Sequence, residues 1–153
     1  MITTSPILIT GIPRSGSTMI AATINLCGAF GGEMSKRGMY SNDRIREEIV
    51  KPYLIENGIN KNGLHPWLYS NLPFVDIKDW VEKIMIEDGY QEGDWMYKDS
   101  RLSLMWPIWN QIYPNAKWII VRRRTGDIVQ SCLKTKYMVG YNDEKGWLDM
   151  VHG

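Results

Sequence analysis

The sequence predicts an α/β domain in which a central parallel sheet is flanked by helices. Three observations carry this. Short apolar runs recur at Pro6–Thr10, Trp95–Tyr97 and Lys117–Val121, each is followed by residues at helical spacing, and an unusual polar cluster stands at the end of each run. Alternating strands and helices give parallel sheets, and ligands of such sheets sit at the carboxyl ends of the strands.

Pro6-Ile-Leu-Ile-Thr10 ends at Gly11 and reads as a buried parallel strand. Met19 to Cys27 then has apolar residues at 20, 24 and 27 and at 19, 22 and 26, the spacing of a helix that Gly28 closes. Ser41 to Ile49 starts a second helix, which Pro52 is expected to bend or stop. Asn57 to Pro73 is rich in Gly, Asn and Pro and reads as loop. Asp76 can cap a helix to about Glu87 that turns Ile77, Trp80, Val81 and Ile84 to one side. Trp95-Met-Tyr97 is a short strand before Lys98-Asp-Ser-Arg101, and Leu102 to Ile112 has helical spacing despite Pro107. Lys117-Trp-Ile-Ile-Val121, read as a further buried strand, runs into Arg122-Arg-Arg124. A helix capped by Thr125 is expected next, with Ile128, Val129, Cys132 and Leu133 inward.

With 153 residues the chain suits a single domain with a real core. Eighteen Lys and Arg against 17 Asp and Glu give a net charge of +1, which argues against a general nucleic-acid binder. The charge is nonetheless clustered. Residues 117–136 hold six bases and one acid, and residues 87–94 hold four acids and no base. Cys27 and Cys132 each fall on an expected apolar helix face and read as buried, reduced thiols. MITTSPILIT has no basic segment ahead of its apolar run, so it is not expected to be a secretory leader. No apolar run approaches the ~20 residues of a membrane span. The expected setting is a soluble, cytoplasmic, reducing one.

Gly11-Ile-Pro-Arg-Ser-Gly-Ser-Thr18 matches the glycines and final Thr of a phosphate-binding G-x-x-x-x-G-K-[ST] loop, but Ser17 stands where the lysine belongs. Backbone N–H groups opening a helix form an anion cradle whatever the side chains. The hydroxyls of Ser15, Ser17 and Thr18 add donors, and Arg14 adds a planar fork suited to two oxygens of one tetrahedral anion. The pattern alone also fits a plain strand-to-helix turn; the strand before it and the helix after it favour anion binding. In the second cluster, Arg123 lies at a strand end and Ser131 about two turns into the next helix. Three adjacent arginines repel one another and would be stabilised by a bound anion, although a solvated basic turn has the same composition. Two anion sites at two strand ends suit a ligand with two phosphate-like groups.

These stretches resemble a known family. PILITGIPRSGSTMIAATINLCGAF is similar to the 5′-phosphosulfate loop of sulfotransferases, and AKWIIVRRRTGDIVQS to their 3′-phosphate motif. Together they take in about 40 of the 153 residues, in the family's order and spacing. The resemblance implies a P-loop nucleotide-binding fold and transfer of a sulfuryl group from 3′-phosphoadenosine 5′-phosphosulfate (PAPS) to a hydroxyl or amine. It further implies that Pro13, Arg14, Ser15, Gly16, Ser17 and Thr18 cradle the 5′-phosphosulfate and that Arg14 stabilises charge on the bridging oxygen and transferring group. Arg123 and Ser131 would bind the 3′-phosphate, with Arg122 or Arg124 replacing Arg123 if the register slips by one.

The acceptor needs a base, since an alcohol attacks poorly while it keeps its proton. The resemblance implies Glu33, with Asp99 as rival, and Lys98 against the sulfuryl group or the leaving phosphate. Ser100 occupies the position that is His in cytosolic members, a departure that shifts weight to Glu33. His65 reads as structural or substrate-facing and His152 as a frayed end. No cluster has metal-ligand spacing, so no metal is expected. Residues 34–90 are the expected acceptor side, where Trp67, Tyr69 and Trp80 are open to lining a pocket or stacking on adenine. The acceptor itself, a small molecule or a carbohydrate among others, is left open.

Family members are longer, with a C-terminal segment closing over the nucleotide. Tyr141–Trp147 is either a remnant of that segment or a different tail, and a minimal enzyme, a fragment and a non-catalytic nucleotide-binding module all stay open. A nucleotide kinase or NTPase is disfavoured by Ser17 and by a strand ending in Arg rather than in a magnesium-binding acid.

Overall fold

The computed structural model describes residues 1–33, 35, 38–66 and 71–152; Trp67 and Tyr69 lie outside them. Three parallel strands form the sheet: β1 (Ile7–Thr10), β2 (Met96–Lys98) and β3 (Lys117–Ile120), in the order β2-β1-β3. β1 pairs Leu8 with Tyr97 on one side and with Trp118 on the other. The helices are α1 (Ser17–Leu26), α2 (Lys51–Glu56), α3 (Lys78–Glu87), α4 (Leu102–Ile112), α5 (Thr125–Lys134) and α6 (Glu144–His152).

Successive strand residues point to opposite faces, and this alternation sorts the core. Leu8, Trp95 and Tyr97 pack with α3, α4 and the helical segment ending in α2, in a cluster that includes Ile49, Leu54, Val81, Met105 and Trp109. Ile9 and Met96 face the other way, onto Ala21 of α1. A separate cluster joins α5 to α6 through Ile128, Val129, Cys132, Trp147 and Met150. The segment containing Tyr141–Trp147 is therefore packed structure: the Tyr141 ring meets Trp147 edge-on at 4.9 Å and His65 at 5.0 Å. Tyr141 Oη also accepts the His65 backbone N–H at 2.8 Å, a structural role for His65. His152 is exposed but helical to its position, not frayed.

Several expectations are corrected. β3 is an edge strand and only half buried, with Ile120 69% exposed, so the arginines do not follow a buried strand. The inward stripe of α1 runs through Ser17 and Ala21, with Ile20 and Ile24 at its flank, which leaves Met19 and Leu26 in solvent. Cys27 falls at the reversal after α1 and is exposed, whereas Cys132 is buried as expected. In α3 the inward face is Ile77, Val81, Ile84 and Met85, and Trp80 lies at its margin, 50% exposed. Leu133, one turn beyond Val129, likewise lies at the margin of its helix's inward face and is 41% exposed. Pro52 does not stop its helix, although the winding changes just before it. A π-helical turn over Ile45–Val50 leads into α2, and its wider winding passes the residue that lacks an N–H. Pro107 likewise lies inside α4. Ile77 and not Asp76 is the N-cap of α3, though Asp76 Oδ1 accepts the Lys78 N–H at 3.0 Å; Thr125 is the first residue of α5 and makes no capping bond.

No helix of the described residues is long and apolar enough to cross a membrane.

Candidate anion site

The glycine loop lies between β1 and α1, at the carboxyl edge of the sheet, and its shape follows from close packing. A Cβ on Gly11 would stand 2.5 Å from the Val121 carbonyl oxygen and 2.7 Å from Ser15 Oγ, so only glycine lets β1 leave the sheet beside β3. Arg14 (φ +70°) and Gly16 (φ +98°) are left-handed, and the Ser15 N–H closes the turn onto the Ile12 carbonyl at 3.0 Å. α1 therefore starts at Ser17 with its free N–H groups at the loop. Ser15 and Ser17 are buried, and Ser15 Oγ is turned inward with no hydrogen-bond partner among the described residues.

Lys98 ends β2 next to this loop. Its ammonium donates to Thr18 Oγ1 at 3.2 Å and to the Met39 carbonyl at 3.0 Å. Burial pushes its pKa below the ordinary lysine value, while Asp99 acts in the opposite sense. The neighbouring Asp99 is fully engaged. Its Oδ1 accepts from the Arg101 backbone N–H and from Arg101 Nη1, each at 2.8 Å, and its Oδ2 accepts from Tyr97 Oη at 3.0 Å. Such a carboxylate is suited to holding the β2–α4 turn.

The arginine cluster reaches the glycine loop from the other side. Arg14 Nε donates to Ser131 Oγ at 2.9 Å, and Arg14 Nη1 donates to Tyr137 Oη at 2.7 Å. Arg123 Nη1 donates to the Arg14 carbonyl at 3.4 Å, and its Nε lies 3.8 Å from Asp127 Oδ2. Of the three consecutive arginines, Arg123 is thus the one that meets the loop. Arg14, Arg123 and Ser131 come together as one group, and Lys98 with Thr18 forms a second group at the start of α1.

Glu33 stands apart from both, exposed on a loop that a buried carboxylate pins. Asp88 Oδ2 accepts the Glu33 backbone N–H at 2.8 Å and Asn42 Nδ2 at 2.7 Å, and Asp88 Oδ1 pairs with Arg44 at 3.0 Å. Gly32 passes so close to Asn42 and Asp88 that a side chain there would collide with both. A cleft of about 900 Å³ has Glu33, Pro13, Met39, Arg101 and Tyr137 on its walls, so Glu33 and the glycine loop open onto the same space. A smaller cavity of about 460 Å³ lies beyond Arg101, against Trp106.

Tyr137 and Asp88 are the two site-shaping residues that the sequence reading passed over. Tyr137 carries no motif, and Asp88 reads there only as one member of an acidic run. Among the described residues, no three His, Cys, Asp or Glu side chains gather in a metal-holding group. Chemically, the site offers backbone N–H groups, two guanidiniums, one ammonium and three hydroxyls around a helix start. That is a donor set for oxyanions. Comparison with protein-family models, curated proteins and solved structures finds no match to this chain.

Proposed function

We propose that this chain is a sulfotransferase that moves the sulfuryl group of PAPS to a hydroxyl or amine, on a fold of the P-loop nucleotide-binding type. The observation that carries the reading is the bond from Arg14 to Ser131. It joins the glycine loop to the helix after the arginine cluster, so the donors for two anionic groups belong to one continuous surface.

In the reaction the acceptor oxygen attacks sulfur in line and gives its proton to Glu33. The bond from sulfur to the bridging oxygen breaks, and adenosine 3′,5′-bisphosphate leaves with the electron pair. Lys98 and the N–H groups at Gly16–Thr18 stabilise the charge that grows on the leaving phosphate, a form of catalysis that preset donors perform well. Arg123 and Ser131 hold the 3′-phosphate. Glu33 suits the role of base better than Asp99, whose two oxygens already accept three hydrogen bonds. The cleft beside Glu33 is the acceptor's place.

Calorimetric titration of adenosine 3′,5′-bisphosphate, with and without Mg²⁺, tests the reading on the wild type and on Arg123→Ala. Metal-independent binding that weakens at least tenfold in the variant, with ATP binding poorly, is the expected result. No binding would overturn it, and a Mg²⁺-dependent preference for ATP would overturn it in favour of an NTP-binding protein.

A further inference from the structure

Thr135 to Met138 is a tight turn that follows α5. The Met138 N–H bonds the Thr135 carbonyl at 2.9 Å, and Thr135 Oγ1 donates to the Ser131 carbonyl at 2.6 Å. Met138 packs against the cluster of Val129, Cys132 and Trp147, which anchors the turn between α5 and α6. With Met138 turned inward, its neighbour Tyr137 is turned outward and is 61% exposed. Exposure of a large aromatic there calls for a reason, and the reason is its neighbour. The phenol accepts from Arg14 Nη1 at 2.7 Å, and the Arg14 guanidinium lies 5.9 Å from the centre of the same ring.

Arg14 is itself committed by its backbone. Left-handed φ is uncommon outside glycine, and from this backbone the side chain reaches across to α5, where Ser131 takes Nε. One edge of the guanidinium is thus fixed by Ser131 and another by Tyr137, so the group is held by two separate segments of the chain.

We propose that Tyr137 is a positioning residue for Arg14: by hydrogen bond and ring contact it holds the guanidinium between the glycine loop and Ser131, preset for a ligand with two anionic groups. The inference rests on the proposed nucleotide site and adds to it a residue from outside both anion-binding stretches. Holding the long side chain in place before binding lowers the entropy lost when the ligand arrives.

The test is a double-mutant cycle read by titration of adenosine 3′,5′-bisphosphate into the wild type, Tyr137→Phe, Tyr137→Leu, Arg14→Ala and the double variants. Circular dichroism establishes that each is folded. With Arg14 present, Tyr137→Phe is expected to weaken binding roughly 3-fold and Tyr137→Leu roughly 10-fold, the range for an exposed hydrogen bond with and without a cation–π contact. In the Arg14→Ala background both changes should fall below about 2-fold, because contacting residues couple and independent ones add. Equal losses in the two backgrounds would overturn the role of Tyr137 while leaving the nucleotide site standing. A wild type that does not bind the bisphosphate would instead remove the site and this role together. A ligand-free reading of the same contact is the Arg14 Nε–H resonance, whose exchange with water should quicken several-fold in Tyr137→Leu; unchanged exchange would overturn the proposal.

Discussion

Lys98 Nζ and Thr18 Oγ1 are 3.2 Å apart, which ties the last residue of β2 to the first turn of α1. A buried ammonium sits there at the mouth of a helix whose dipole is positive, an unfavourable meeting that a bound anion would relieve. Lys98→Met should therefore weaken binding of adenosine 3′,5′-bisphosphate by about 10- to 100-fold, the value of a charge-assisted contact. Titration of the variant checks this; an affinity within 2-fold of the wild type would place Lys98 outside the site.

The same lysine gives a dependence of stability on pH. Burial lowers its folded pKa below the ordinary value of 10.5. Between those two values the unfolded chain holds a proton that the folded chain has released, so stability rises with pH across that window. The unfolding free energy of the wild type minus that of Lys98→Met should climb as pH approaches 10.5 and level off above it. Denaturant titrations over a pH series measure the difference. A flat line would mean that the ammonium is not desolvated.

Gly11→Ala tests the geometry that brings loop and sheet together. The added methyl would meet the Val121 carbonyl oxygen, which belongs to backbone and cannot step aside without moving β3. Overpacking of this kind costs about 1–3 kcal/mol. Chemical denaturation should show that loss, and bisphosphate binding should fall with it because the turn at Arg14–Gly16 shifts.

Much of this architecture is legible in the sequence. The three strands, the glycine loop and the helices after it follow from apolar runs that end in polar clusters, a pattern set by local chemistry. Helix faces are less legible. Trp80 and Leu133 fit an apolar stripe by spacing, yet both are exposed, because the neighbours that define each inward face come from distant parts of the chain. β3 shows the same limit: KWII reads as a buried strand, and only the sheet order reveals it as an edge. In the site, Arg14, Arg123 and Ser131 carry a recognisable pattern and do come together. Tyr137 and Asp88 act through long-range contacts, 123 residues away to Arg14 and 55 to Glu33, and such contacts leave no periodic trace.

The Asp88 contact makes the fourth prediction. Its carboxylate is buried and accepts from Glu33, Asn42 and Arg44. Asp88→Ala would leave Asn42 and the Glu33 backbone N–H without that acceptor, at a cost of about 2–3 kcal/mol. Hydrogen exchange at the Glu33 amide should accelerate by at least 10-fold more than exchange in β1. Exchange that quickens equally in both would mean that Asp88 supports the whole fold rather than this loop.

The last prediction separates the two candidate bases by setting stability against turnover. Asp99 holds the β2–α4 turn through Arg101 and receives the buried Tyr97 hydroxyl, and burial together with this carboxylate pushes the Tyr97 pKa well up. Asp99→Asn replaces an oxygen acceptor with a donor facing those donors, so about 2–4 kcal/mol of stability should be lost. Glu33 is exposed, and Glu33→Gln should change stability by no more than about 0.5 kcal/mol. If Glu33 is the base, that same variant retains bisphosphate affinity within 2-fold and loses about 10²- to 10⁴-fold in sulfuryl transfer, the usual worth of general-base catalysis. Melting curves and a transfer assay from labelled PAPS across hydroxyl and amine acceptors decide between them. Full transfer by Glu33→Gln would reassign the proton to another group on the wall of the cleft, and Ser35, Asp43 and Glu47 line the same space.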